Sequence, residues 1–122
     1  RPRSEHSRLE RCASGTVGIT RGQTLRSSVV NLSLASVIVC HALTANPHPV
    51  SLLADSFPLE PREARDVDLR AEGLPKELFD KIRRTQIRAF IRASAPTVEG
   101  NLEVFDDRSG KTTIVLPLQA MD

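Results

Sequence analysis

The sequence predicts an all-β domain, an immunoglobulin-like antiparallel sandwich of seven or eight strands with one short helical insert. Three observations carry that expectation. After Gly15, short stretches rich in Val, Ile, Leu and Thr recur between turn residues at roughly the 8–12-residue spacing of sandwiches. Several of these stretches alternate apolar and polar residues, the mark of a strand with one buried face. Helices long enough to serve as parallel crossovers are missing.

The elements follow in order. Residues 1–14 (RPRSEHSRLERCAS) are charged and without period, and read as an N-terminal arm; residues 15–122 form the domain. Thr16–Thr20 is a first strand, closed by the turn Arg21-Gly22-Gln23, and Thr24–Leu34 is the second. In Ser36–Ala45, Val37, Val39, His41 and Leu43 share one face, and Ile38, Cys40 and Ala42 the other. Asn46-Pro47-His48-Pro49 breaks the ladder, because a proline lacks the donor and restricts the residue before it. Val50–Phe57 is a strand ended by Pro58-Leu59-Glu60-Pro61. Ala64–Ala71 buries Val67 and Leu69 and wets Asp66, Asp68 and Arg70. Pro75–Arg84 reads as the helical insert: Pro75 suits a first helical position, Leu78 and Ile82 lie four apart, and Glu77 can pair with Lys81. Thr85–Ala95 is a strand, Pro96–Gly100 a loop, and Asn101–Asp106 and Lys111–Leu116 flank the turn Asp107–Gly110.

Composition narrows the function. The core is aliphatic, since the chain has four Phe and neither Trp nor Tyr. No apolar run reaches the roughly 18–20 residues of a membrane span. The net charge of +2 resides in the arm, where Arg1, Arg3, Arg8 and Arg11 face Glu5 and Glu10; the rest is balanced. A nucleic-acid binder gathers cations on one face, often beside aromatic platforms, so none is expected as a partner. Missing Trp and Tyr also disfavour a sugar-stacking site. A start at Arg1 in place of Met favours an exported protein whose leader has been removed.

Candidate chemistry is sparse. His6, His41 and His48 lack the close spacing of a two-imidazole metal site, although a hairpin could bring His41 and His48 near Asp55; no metal or cofactor is expected. Cys12 and Cys40 either close one disulfide, worth on the order of 3 kcal/mol by loop entropy, or Cys40 is a buried thiol. A Cys40–His41 catalytic pair fails, because neighbours on a strand point to opposite faces. Asp106 and Asp107 could donate to calcium but suit an ordinary hairpin. Asn31-Leu32-Ser33 matches a glycosylation acceptor. No phosphate loop, nucleophile elbow or dinucleotide fingerprint is present, so an enzyme is not expected.

Gly22-Gln23-Thr24-Leu25-Arg26 near the start, with Glu103-Val104-Phe105-Asp106 and Ser109-Gly110-Lys111-Thr112-Thr113 near the end, resemble a group of uncharacterised bacterial proteins. In that group a GQTLR strand opens and an EVFD…SGKTT hairpin closes a small exported β-sandwich. The resemblance implies fold and export, and no activity. The resulting expectation is a non-catalytic structural or interaction module, extracellular or on the bacterial cell surface. It would assemble into filaments with copies of itself, by adding an arm strand bearing Arg1, Arg3, Arg8, Leu9 and Arg11 to an open sheet edge. The alternative is a monomeric ligand- or glycan-binding module using His41, His48 and Asp55.

Overall fold

The computed structural model describes residues 10–46, 50–81, 83–95 and 97–121. They form ten strands: β1 (Glu10–Ala13), β2 (Val17–Ile19), β3 (Gln23–Asn31), β4 (Val37–Asn46), β5 (Val50–Leu59), β6 (Ala64–Arg70), β7 (Thr85–Ala93), β8 (Val98–Asp106), β9 (Thr112–Pro117) and β10 (Gln119–Ala120). All pairings are antiparallel, in two sheets. One runs β10-β1-β7-β4-β5, with β2 also on β7; the other runs β6-β3-β8-β9.

The period-two pattern decides which side chains meet. Val37, Val39, His41, Leu43 and Ala45 of β4 turn inward with Ile87, Ala89, Ile91 and Ala93 of β7. Leu25 and Val29 of β3 and Val98, Leu102 and Val104 of β8 face them from the second sheet. Interdigitation of these two inner faces makes most of the core, with Ala71, Leu74 and Leu118 added from outside the strands.

Four expectations need correction. The strand order is not that of an immunoglobulin sandwich, which sets strands ABED against CFG. Here β2 pairs with β7 and β3 with β8, each five strands apart, and β2-β7-β4-β5 faces β6-β3-β8. That nested order is the interleaving of a jelly roll, with β9 on the outer side of β8. Second, there are ten strands, because two short ones close the edge. The boundary drawn after residue 14 falls inside the sheet, since β1 lies on β7 (Cys12 opposite Ile91) and β10 lies on β1 (Cys12 opposite Ala120). Ser14 carries the break between β1 and β2: its N–H donates to the Ala89 carbonyl, and its Oγ accepts from the Ala89 N–H, both at 3.0 Å.

Third, Pro75–Arg84 holds no α-helix. Single 3-10 turns occur at Ala71–Gly73 and Lys76–Leu78. Nucleating a helix costs more than so short a segment returns, and Arg83 adopts a left-handed φ of 63°. A turn in which Arg83 N–H donates to the Asp80 carbonyl at 2.9 Å ends the segment instead. Fourth, β5 runs through Pro58 to Leu59, and β8 takes in Val98–Gly100, assigned above to a loop. Proline is tolerated at Pro58 because β5 pairs only with β4, leaving an edge where a missing donor breaks no ladder bond. Among the described residues no helix is long and apolar enough to cross a membrane.

Candidate functional site

The residues singled out by the sequence fall into three places. Arg1, Arg3, Arg8, Leu9 and His48 lie outside the described residues, while Arg11 is exposed on β1. Cys12 and Cys40 are not joined, and the topology forbids it. Both strands flank β7, Cys12 opposite Ile91 and Cys40 opposite Arg92. Two strand spacings of about 4.8 Å separate them, and their side chains leave opposite faces of the sheet. Asn31 is no exposed acceptor: it is fully buried, and its Nδ2 donates at 2.9 Å to the carbonyls of Ala35 and Leu59. Its Oδ1 accepts from the Ser33 N–H at 2.8 Å, so the side chain shapes the loop after β3.

The acidic candidates serve structure. Asp68 takes Arg26 in a two-point ion pair at 2.7 and 2.9 Å, which holds the carboxyl below its ordinary range. Asp106 accepts from the Ser109 hydroxyl at 2.7 Å and its N–H at 2.9 Å, which lowers its pKa and closes the β8–β9 turn. These are local hairpin bonds of the kind that favour Asp in turns.

His41 and Asp55 do come together, as directly opposed residues of β4 and β5. The third member of the group is Ser27, which sequence reasoning missed. Its Oγ and His41 Nε2 share a 2.6 Å hydrogen bond across the sandwich. A signal for it existed: Ser27 interrupts the inward row Leu25–Val29 just as His41 interrupts Val39–Leu43. Carboxylate, imidazole and hydroxyl in succession suggest acyl-transfer chemistry, but the surroundings do not. Ser27 is 0% and His41 1% exposed, so no substrate reaches the hydroxyl. Arg65 on β6 lies 4.2 Å above the Phe57 ring, and that ring meets His41 edge-on at 6.4 Å. Burial pushes the His41 imidazole below its ordinary pKa, with Asp55 acting weakly against that shift and Arg65 with it. A neutral imidazole therefore ties the two sheets, with its Nδ1 unpartnered among the described residues.

The other notable feature is the set of open edges: β2, β5 and β10 in one sheet, β6 and β9 in the other. Four are short, charged or interrupted, features that suppress unwanted pairing. β5 carries Pro58, a register shift opposite Leu43/Thr44 and the inward-side acid Asp55. β6 is charged at Arg65, Asp66, Asp68 and Arg70, while β2 has three residues and β10 two. β9 is the longest uncharged edge, TTIVLP, with Ile114 and Val115 39% and 58% exposed; it too has a register shift, opposite Val104/Phe105, and it ends at Pro117.

No protein-family model matches the sequence, and no curated protein is similar to it. The fold does recur: the crystal structure of Thermotoga maritima 1070 superposes with a TM-score of 0.59 over 93% of each chain, at 12% sequence identity. At that identity the likeness is one of fold alone.

Proposed function

We propose that the protein is a non-catalytic structural module of the bacterial cell exterior that associates with copies of itself by strand addition at β9. The observation that carries this reading is the contrast among the edges. Thr112–Pro117 is the longest of them without a charged side chain, a β-branched strand whose outer ladder is unpaired among the described residues. An added strand gains main-chain hydrogen bonds there and covers Ile114 and Val115. The donor is the segment 1–9 of a neighbouring copy. The exterior location draws on the GQTLR and EVFD…SGKTT resemblance. The sealed Ser27–His41 pair supports a role without catalysis.

The test is the oligomeric mass by light scattering of the full chain, of a chain lacking residues 1–9, and of Val115→Lys. A lysine at an edge disfavours strand addition. Both changes are expected to weaken association on the order of tenfold or more. If the truncated chain assembles like the intact one, the arm is not the donor; if Val115→Lys does too, β9 is not the acceptor.

A further inference from the structure

We propose that the outward face of the β7-β4 sheet docks on the outward face of the β3-β8 sheet of a second copy, in a head-to-tail stack. The surfaces are different from the β9 edge, and the inference does not rest on strand addition there.

The evidence is an unusual placement of charge. Arg11 and Arg92 are directly opposed on β1 and β7, and like charges so placed are destabilising. Arg88 lies on the same outward face of β7, its guanidinium 4.7 Å over the Phe90 ring and its Nε donating to the Ser14 carbonyl at 3.1 Å. None of the three arginines forms an ion pair among the described residues. The outward positions of β1, β2, β4, β5 and β7 supply no carboxylate. Asp55, the one acid of β5, is paired with His41 and so belongs to the inward set. The fold therefore tolerates a repulsive arginine cluster that no carboxylate among the described side chains of its own face neutralises.

The opposite face has the complementary excess. Asp66 and Asp68 on β6 and Glu99 and Glu103 on β8 all point outward, in register with Ser28, Arg26, Val30 and Arg26 of β3. Arg26 is taken up by Asp68, and Arg70 approaches Asp107 at 4.0 Å. Arg26 also lies near Asp66 and Glu103, but Asp66, Glu99 and Glu103 form no close ion pair among the described residues, so one arginine is shared among three acids.

The spacing also matches. Arg88 and Arg92 are four residues apart on β7, which lies inside its sheet; Glu99 and Glu103 are four apart on β8, inside the other. Both pairs are therefore separated by about 13 Å along one strand. Laying β7 of one copy along β8 of the next sets both arginines against both glutamates. Two basic faces repel, so the contact cannot be self-complementary. It is heterologous, and each copy then leaves one basic and one acidic face to continue the stack.

Sedimentation velocity on the full chain tests this with two double variants, Arg88→Glu/Arg92→Glu and Glu99→Arg/Glu103→Arg. The wild type is expected to associate at about 50 mM salt and to disperse at about 500 mM, where charge is screened. Each variant alone carries two faces of like sign, so its association should fall on the order of tenfold or more. An equimolar mixture presents opposite signs at every contact and should regain salt-sensitive association. Folding is checked by urea midpoints, with Arg88→Gln/Arg92→Gln as the milder variant. A chain lacking residues 1–9 separates the two readings: it should lose edge pairing and leave the salt-sensitive stack, because it removes none of the residues placed in the stack. Wild-type behaviour of either variant, or a mixture that stays dispersed, overturns the proposal. So does a wild type that binds heparin or DNA through Arg88 and Arg92 and does not self-associate.

Discussion

Valine in place of Gly100 is expected to remove about 3 kcal/mol of stability, and alanine about 2, the upper range for overpacking a filled core. Gly100 lies on β8 opposite Val29, on the inner side facing Ile91 of the other sheet. A Cβ there would sit 2.5 Å from Ile91 Cδ1 and 2.9 Å from the Ser28 carbonyl oxygen. The two obstacles differ in kind. The Ile91 terminus can rotate away, whereas the Ser28 carbonyl belongs to the β3 ladder and moves only with the strand. Ile91→Val removes the offending methyl, so in a Gly100→Ala background it should cost less than it costs alone. Urea unfolding of the two single variants and the double measures that coupling. Full additivity would mean that Ile91 is not the obstacle.

The second large effect concerns Ser27 and His41. Ser27→Ala leaves a fully buried imidazole nitrogen without its partner and should cost about 2 kcal/mol. Removing both polar groups, as Ser27→Ala/His41→Leu, should cost clearly less than the two single changes together, since no orphan then remains. The same pair sets a pH dependence. Burial holds the folded imidazole below the unfolded value of 6.5. Above pH 6.5 the ring is neutral in both states and the full stability is present. As pH falls below 6.5 the unfolded chain takes up a proton that the native state refuses, and stability is lost until the folded value is passed. Chemical denaturation across pH 5–8 should therefore show a decline below about 6.5 that His41→Leu flattens. An unchanged profile in that variant would assign the decline to other groups.

Much of the fold was legible in the period of the chain. The β4 row Val37–Leu43 and the β7 row Ile87–Ala93 point inward as their alternation requires, because a strand shows its two faces in strict succession. Topology was not legible. Nothing local in β3 specifies β8 as its partner in place of a nearer strand, since that choice is made by how two whole faces pack. The insert at 75–84 misled for a related reason: Leu78 and Ile82 at helical spacing are a weak signal over ten residues, and the adjoining strands decide. The edges at Glu10–Ala13 and Gln119–Ala120 were too short to carry any period. For the candidate site, His41 and Asp55 were visible but their partner was not, because Ser27 lies fourteen residues from His41 in another strand. The face charges escaped notice for a different reason. A balanced total conceals a separation of sign that appears only once β7 and β8 occupy opposite surfaces.

The register that places Cys12 beside Ala120 sets the timing of folding. Pairs such as β1 with β10, β2 with β7 and β3 with β8 join segments that are far apart along the chain. Such topologies fold on the millisecond-to-second scale, roughly, because loop closure precedes reward. During synthesis β1 has nothing to complete its outer side until Gln119–Ala120 have left the ribosome. Nascent chains halted short of residue 119 should accordingly be easier prey for a protease than the finished product, with the emerging TTIVLP segment the point most in need of a chaperone.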